Sequence, residues 1–196
     1  MNKVKVFTLN MPNNFEFSPV YPPLRQEEIE SAGCDKVKKE KYFSWLLLEY
    51  AFSKSYSLDI KDIKFERLSN GKWVCGDCYF SITHSNNAVA VAVSLSPVGI
   101  DMESRDRDAS KVEKLLSPKE REELLSAANK NDYILTKWTE RESSFKLSND
   151  CNFRPFTTND IDCVYTTKTL KISKKEYILT VASNKDCIIE INSANF

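Results

Sequence analysis

The sequence predicts an α+β fold of two similar halves, a pseudo-duplication in which antiparallel sheets pack against helices. Three observations carry the prediction. Helical periodicity and strand-like alternation both occur, in separate stretches of the chain. In both halves a helical pattern is followed by strands. A length of 196 residues is generous for one ordinary domain and short for two independent ones. Residues 1–96 are read as the N-terminal half and 97–196 as the C-terminal half, with the site at the interface between them. Hydrophobic residues make up 41% of the chain and include eleven Phe, eight Tyr and three Trp, enough apolar surface for a core.

Residues 4–9 alternate as a first strand, and residues 12–23, with four prolines and no periodicity, read as a loop. A mostly apolar helix is expected over 39–52, carrying Tyr42, Trp45, Leu46 and Tyr50. Residues 59–65 and 72–74 are candidate strands. Residues 78–84, 88–95 and 98–103 then form a three-strand meander, joined by the turns Ser85-Asn86-Asn87 and Ser96-Pro97. The middle strand is apolar on both faces, as a buried strand is. In a meander the first and third strands run parallel, which puts His84 and the pair Asp101 and Glu103 at one sheet edge, roughly 10 Å apart. A charged loop leads to Ser117-Pro118-Lys119-Glu120, a capping box with proline at the first helical position, and a helix over 118–128. A longer helix over 132–147 has an apolar seam of Ile134, Leu135, Trp138 and Phe145. Four antiparallel strands, 161–165, 169–172, 176–181 and 187–191, complete the chain.

The chemistry concentrates in two segments. Asp101 and Glu103, spaced i, i+2 on a strand, share one face, and Met102 takes the other. Glu142 and Lys146, spaced i, i+4 on the long helix, lie about 40° and 80° from Trp138 and flank its seam. Three acids converging from two elements suit a hard cation such as Mg²⁺, with Lys146 as a phosphate contact. Metal-free, they repel one another and raise at least one pKa. Plainer readings stand beside this one: Asp101 and Glu103 as a solvated sheet edge, Glu142 and Lys146 as a helix-surface ion pair of about 0.2–0.5 kcal/mol, and His84, the only histidine, as a strand-end residue bonded to a loop.

Composition narrows the classes. Lys+Arg and Asp+Glu are equal at 28 each, so no global field points to nucleic acid or an anionic membrane. Four glycines allow neither a Walker loop nor a G-x-G-x-x-G fingerprint, so phosphates must be met by side chains and metal. No apolar run of signal-peptide or membrane-span length occurs, and a cytoplasmic location is expected. The six cysteines then read as reduced thiols. Cys75-Gly76-Asp77-Cys78 has no second ligand pair for zinc and precedes a strand rather than a helix. Gly76-Asp77 is more simply a hairpin turn.

Val98-Gly99-Ile100-Asp101-Met102-Glu103 together with Trp138-Thr139-Glu140-Arg141-Glu142-Ser143-Ser144-Phe145-Lys146 resembles the two signatures of the 4′-phosphopantetheinyl transferases, most closely the larger, surfactin-synthetase-activating class. Upstream, Phe80-Ser81-Ile82-Thr83-His84-Ser85 resembles that class's F-x-[IV]-[ST]-H-S segment, and Gly71-Lys72-Trp73 stands where it usually has Gly-Lys-Pro. Trp73 departs from that proline, and Arg141 from the commoner lysine before Glu142. The resemblance implies transfer of the phosphopantetheine arm of coenzyme A to a serine of an apo acyl or peptidyl carrier protein, with release of adenosine 3′,5′-bisphosphate. It implies Mg²⁺ held by Asp101, Glu103 and Glu142, pyrophosphate contacts from Thr83, His84 and Lys146, and Lys72 near the nucleotide. Lys41 or Lys39 is the expected basic residue for the coenzyme's 3′-phosphate. Glu142 or a metal-activated water would take the serine proton. A monomer with pseudo-twofold symmetry is expected. A metal-dependent nucleotide phosphohydrolase and a non-catalytic binder of coenzyme A or carrier protein are the alternatives.

Overall fold

A computed structural model describes residues 2–76, 78–148 and 162–196. In chain order, β1 (Asn2–Asn10) is followed by α1 (Pro23–Glu30), α2 (Asp35–Tyr56) and a 3₁₀ turn (Ile60–Asp62). Then come β2 (Phe65–Arg67), β3 (Trp73–Cys75), β4 (Tyr79–Ser85), β5 (Ala88–Ser94) and β6 (Val98–Ser104). α3 (Ser110–Glu113), α4 (Pro118–Ser126), α5 (Lys130–Ser148), β7 (Val164–Ile172), β8 (Lys175–Ser183) and β9 (Cys187–Ser193) complete the described elements.

Two sheets, ordered β4-β5-β1-β9 and β6-β8-β7, lie face to face with a long helix on each outer side, and β2 and β3 pair separately. Alternation in β5 explains the layering. Val89, Val91 and Val93 join Phe7, Leu9 and the α2 residues Trp45, Leu48 and Phe52 in one cluster. Ala88, Ala90 and Ala92, with Val4 and Val6, meet Val98, Ile100, Met102, Tyr177, Leu179 and Val181 of the second sheet. α5 covers that sheet's far side, where Ile134, Leu135 and Trp138 pack with Ile178 and the Thr139 and Thr180 hydroxyls bond at 2.8 Å. At Gly99 the approach is closest: a Cβ there would stand 1.9 Å from the Ser143 carbonyl oxygen. Only glycine lets α5 rest on β6 at this point.

The mixed α+β class, with antiparallel pairing and packed helices, agrees with the sequence reading, and several details correct it. The meander stops at two strands, because β5 is flanked by β4 on one side and β1 on the other, and β6 must join the second sheet. The last four strands are three. Residues 164–172 run unbroken, residue 161 lies outside the described residues, and β9 leaves to pair in parallel with β1, across the expected boundary at 96/97. Residues 59–65 hold a 3₁₀ turn, capped when the Lys61 N–H donates to Asp59 Oδ1 at 2.9 Å, rather than a strand. β3 pairs with β2, and the expected turn at Gly76-Asp77 falls in part outside the described residues, which omit residue 77. The α5 seam is Ile134, Leu135, Thr139, Ser143 and Leu147, with Trp138 and Phe145 flanking, since the contact at Gly99 admits only small side chains. The capping box forms as expected: the Glu120 N–H donates to Ser117 Oγ at 3.3 Å and the Ser117 N–H to Glu120 Oε2 at 2.7 Å. α1 and α3 had no counterpart in the sequence reading.

Candidate active site

β6 lies along β4 in the same direction and is joined to it by side chains rather than a backbone ladder. The N–H groups of Ile100, Met102 and Ser104 donate to the hydroxyls of Ser81, Thr83 and Ser85 at 3.1, 3.2 and 3.1 Å. Two of those hydroxyls donate onward: Thr83 Oγ1 to Asp101 Oδ1 and Ser85 Oγ to Glu103 Oε2, both at 2.9 Å. Each is thereby oriented at both ends, and the carboxylates between the bonded N–H groups are fixed. Asp101 and Glu103 are buried, at 6% and 9% exposure, so the solvated-edge reading fails. Met102 points the other way, into the core between the sheets.

α5 brings the counter-charges. Lys146 Nζ donates to Asp101 Oδ1 at 2.7 Å, and the Trp138 indole N–H to Glu103 Oε1 at 3.2 Å. Arg107, from the loop after β6, pairs with the same Glu103 oxygen and lies over the Trp138 ring, 5.8 Å from its centroid. Glu142, one turn before Lys146, has its pKa raised, first by burial and then by the Asp101 charge, with Lys146 and Arg107 opposing. Burial is the larger cause, and of the other two acids only Asp101 adds to the rise.

Beside this seam a cleft of about 360 Å³ is lined by Lys72, His84 and Lys146 on one stretch and Arg25, Lys41 and Ser44 on another. Lys72 Nζ donates to the Lys146 carbonyl at the end of α5, and burial followed by the Lys146 charge lowers its pKa to about 8. The His84 Nδ1 atom is 3.6 Å from Glu40 Oε2 of α2; burial lowers its pKa, Glu40 opposes, and Lys146 adds to the lowering. Thr83 is on the seam itself. Lys41 lines the cleft and donates to the Glu28 carbonyl at 3.2 Å. Lys39 faces elsewhere, bonding Asn87 Oδ1 at 3.0 Å and lying over the Phe15 ring.

Arg25 was missed by sequence reasoning, because α1 follows a proline-rich stretch without periodicity. It is 7% exposed, stacks on Trp45 at 4.9 Å, donates to the Lys41 carbonyl at 2.8 Å and pairs with Glu28 at 2.9 Å. In the sequence it is marked only by its place in the first turn of α1, two residues after Pro23.

Among the described residues four buried side-chain polar atoms lack a hydrogen-bond partner: Arg25 Nε, Ser44 Oγ, Ser55 Oγ and Asp101 Oδ2. Arg25 and Ser44 are on the cleft wall, and Asp101 Oδ2 lies on the seam. Buried polar groups are nearly always paired, so the three atoms at the cleft and the seam are candidate ligand contacts, while Ser55 does not line the cleft. For a divalent cation the fit is partial. Asp101 Oδ2 is an uncommitted acceptor and Glu142 a destabilised carboxyl, which suits a hard ion. Glu103 is engaged by Arg107, and among the described residues no three His, Cys, Asp or Glu side chains form a ready cage. No described helix is long and apolar enough to cross a membrane.

Comparisons with known proteins agree with the motif order. The model of the 4′-phosphopantetheinyl transferase superfamily (ACPS) matches residues 97–185. The chain is 31% identical over 144 residues to the 4′-phosphopantetheinyl transferase Sfp of Bacillus subtilis, a match covering 70% of this chain and 64% of that protein. It is 32% identical over 109 residues to the 4′-phosphopantetheinyl transferase psf-1 of Bacillus pumilus, covering 53% and 47%. The 4′-phosphopantetheinyl transferase ffp of Bacillus subtilis is 31% identical over 107 residues, covering 52% and 48%. The chain thus spans about half to two thirds of the length of these relatives. The two acid-bearing segments lie inside the matched region and in the family's order, so over the residues that carry the candidate site the chain is similar to the 4′-phosphopantetheinyl transferases, Sfp among them.

Proposed function

We propose that this protein transfers the 4′-phosphopantetheine arm of coenzyme A to a serine of an apo acyl or peptidyl carrier protein and releases adenosine 3′,5′-bisphosphate. The observation that carries the reading is one cleft whose cations run from Arg25 and Lys41 to Lys72 and Lys146 and end at the acid seam. A bisphosphorylated nucleotide with a pyrophosphate fits that spacing of charge. Arg25, Lys41 and Ser44 would take the 3′-phosphate, which favours Lys41 over Lys39. Lys72 would hold the nucleotide end, and Thr83, His84 and Lys146 the pyrophosphate.

Phosphoryl transfer depends mainly on positioning and charge neutralisation. Lys146, bonded to Asp101, carries a cation to the non-bridging oxygens and is held there by a buried partner. His84, on the same stretch of the cleft, offers a second donor. Glu142, with its raised proton affinity, is placed to accept the serine proton directly or through a water. Mg²⁺ belongs to the proposal as the ion that Asp101 and Glu142, joined by Glu103 when Arg107 withdraws, would hold. Bound there it would offset charge on both phosphates. A cytoplasmic monomer of two pseudo-symmetric halves, each a helix on a sheet, completes the reading.

The test is the mass of an apo carrier protein incubated with the enzyme, coenzyme A and Mg²⁺. A gain of one phosphopantetheine is expected. Unchanged mass across fatty-acid, polyketide and peptide-synthetase carriers refutes the reading, and nucleotide hydrolysis without any carrier points to a phosphohydrolase instead.

A further inference from the structure

The Lys72 wall of the cleft belongs to the β2–β3 hairpin, which among the described residues forms a two-stranded sheet of its own. Trp73 holds it by packing on Trp45 at 5.3 Å and by donating its indole N–H to Glu28 Oε2 at 3.0 Å. Lys72 reaches the end of α5. The next attachment along the chain is sulfur. Cys75, the last residue of β3, places its Sγ 3.2 Å from Cys78 Sγ and 3.1 Å from the Cys78 carbonyl oxygen, just before β4 begins. A disulfide bond is about 2.05 Å long, so the two sulfurs need approach by only about 1 Å to bridge. Their exposures differ. Cys75 is partly exposed and Cys78 buried at 5%, an arrangement of one thiol open to a soluble reagent and one sheltered beside it. Both line a second cavity of about 210 Å³, which also touches Lys72 and Leu147.

We propose that Cys75 and Cys78 are a redox-active dithiol that closes by exchange with a small-molecule disulfide, and that closure moves the Lys72 wall of the cleft. The Cys75 thiolate attacks one sulfur of glutathione disulfide, forming a mixed disulfide and expelling one glutathione thiolate. The Cys78 thiolate then attacks Cys75 Sγ, forming the intramolecular bond and expelling the second. Two electrons pass from the protein to glutathione disulfide, and the two thiol protons end on the two glutathiones. Closure removes the Cys75 thiol hydrogen from the Cys78 carbonyl and draws the end of β3 toward β4. Lys72 is three residues upstream on the same short hairpin, so the cleft registers the change.

The full-length protein is equilibrated in glutathione buffers of graded redox poise and digested with trypsin. The peptide 73–105 contains Cys75 and Cys78 and no other cysteine. It is expected to lose two hydrogens in oxidising buffer and regain them in reducing buffer, while Cys78→Ser instead carries one glutathione on Cys75. Amide hydrogen exchange over residues 65–75 should differ between the two forms. A peptide that stays dithiol in excess glutathione disulfide overturns the proposal, as does a disulfide that leaves exchange over 65–75 unchanged. The coupling to ligand rests on the coenzyme reading above: the two forms should differ in coenzyme A affinity by about threefold or more. Equal affinities refute the coupling. If the reduced protein does not bind coenzyme A at all, the coenzyme reading fails, and peptide mass and hydrogen exchange still decide the dithiol.

Discussion

Gly99→Ala should dislodge the helix that carries Glu142 and Lys146. A Cβ at this position would stand 1.9 Å from the Ser143 carbonyl oxygen and 2.6 Å from the Leu147 amide nitrogen, where ordinary contact begins at 3.4 Å. Relief at the first atom alone needs the difference, 3.4 minus 1.9, or about 1.5 Å of separation between β6 and α5. Both obstacles are helix backbone, so no side chain can rotate away. Overpacking that side chains can absorb costs about 1–3 kcal/mol, and a clash against backbone should reach the top of that range, about 3 kcal/mol. For a chain of this size that corresponds to a fall in Tm of about 6–12 °C. Urea denaturation followed by far-ultraviolet circular dichroism measures the loss directly. The variant that remains folded should also bind coenzyme A more weakly, because Lys146 leaves its 2.7 Å contact with Asp101. A loss below about 1 kcal/mol with unaltered ligand affinity would refute the argument that Gly99 sets the helix position.

Four further outcomes are expected. Lys72→Met should stabilise the ligand-free protein below pH 8. The wild-type lysine has a folded pKa of about 8 against an ordinary 10.5, so the unfolded chain holds the extra proton between those values and wild-type stability rises with pH across that window, closing the gap; parallel denaturation curves at pH 7 and pH 10 test this. Coenzyme A affinity of the wild type should weaken as pH rises past 8, since the neutral amine no longer meets phosphate; titration calorimetry across that range decides. Glu142→Gln should raise the Tm of the metal-free protein near neutral pH while abolishing transfer, because a carboxyl with raised folded pKa loses its stabilising contribution as pH rises through that value. A destabilised variant would count against the buried-acid account. Ser117→Ala should cost about 1 kcal/mol by removing the cap bonded to the Glu120 N–H, read from the urea midpoint, with little effect on ligand affinity.

What could be read from the sequence was local and periodic. The β5 alternation, the capping box at Ser117, the extent of α5 and the shared face of Asp101 and Glu103 all follow from spacing within one element. Choices between elements did not. Whether β6 extends the first sheet depends on β1, some eighty residues earlier, having filled the open side of β5. β9 reads as an ordinary alternating strand and carries no mark of its parallel partner. Site residues divide the same way. Lys146 was identifiable as a cation beside the acids, while its choice of Asp101 over Glu142 depends on how closely α5 settles at Gly99. Arg25 could not be recognised because its significance comes from Trp45 and Lys41, on another helix.

The hydroxyl seam has a consequence for solubility as well as for placing carboxylates. β6 is the outermost strand of its sheet, and a strand in that position normally offers unpaired N–H groups to any passing chain. Ser81, Thr83 and Ser85 consume those donors from within the same molecule. Replacing Thr83 by valine would therefore release Asp101 and also uncover part of a sheet edge, so a variant made to test the chemistry is expected to lose solubility as well as activity. Serine at position 83 preserves both bonds, which makes the register of alternate hydroxyls a safeguard against self-association written into the same residues that hold the acids.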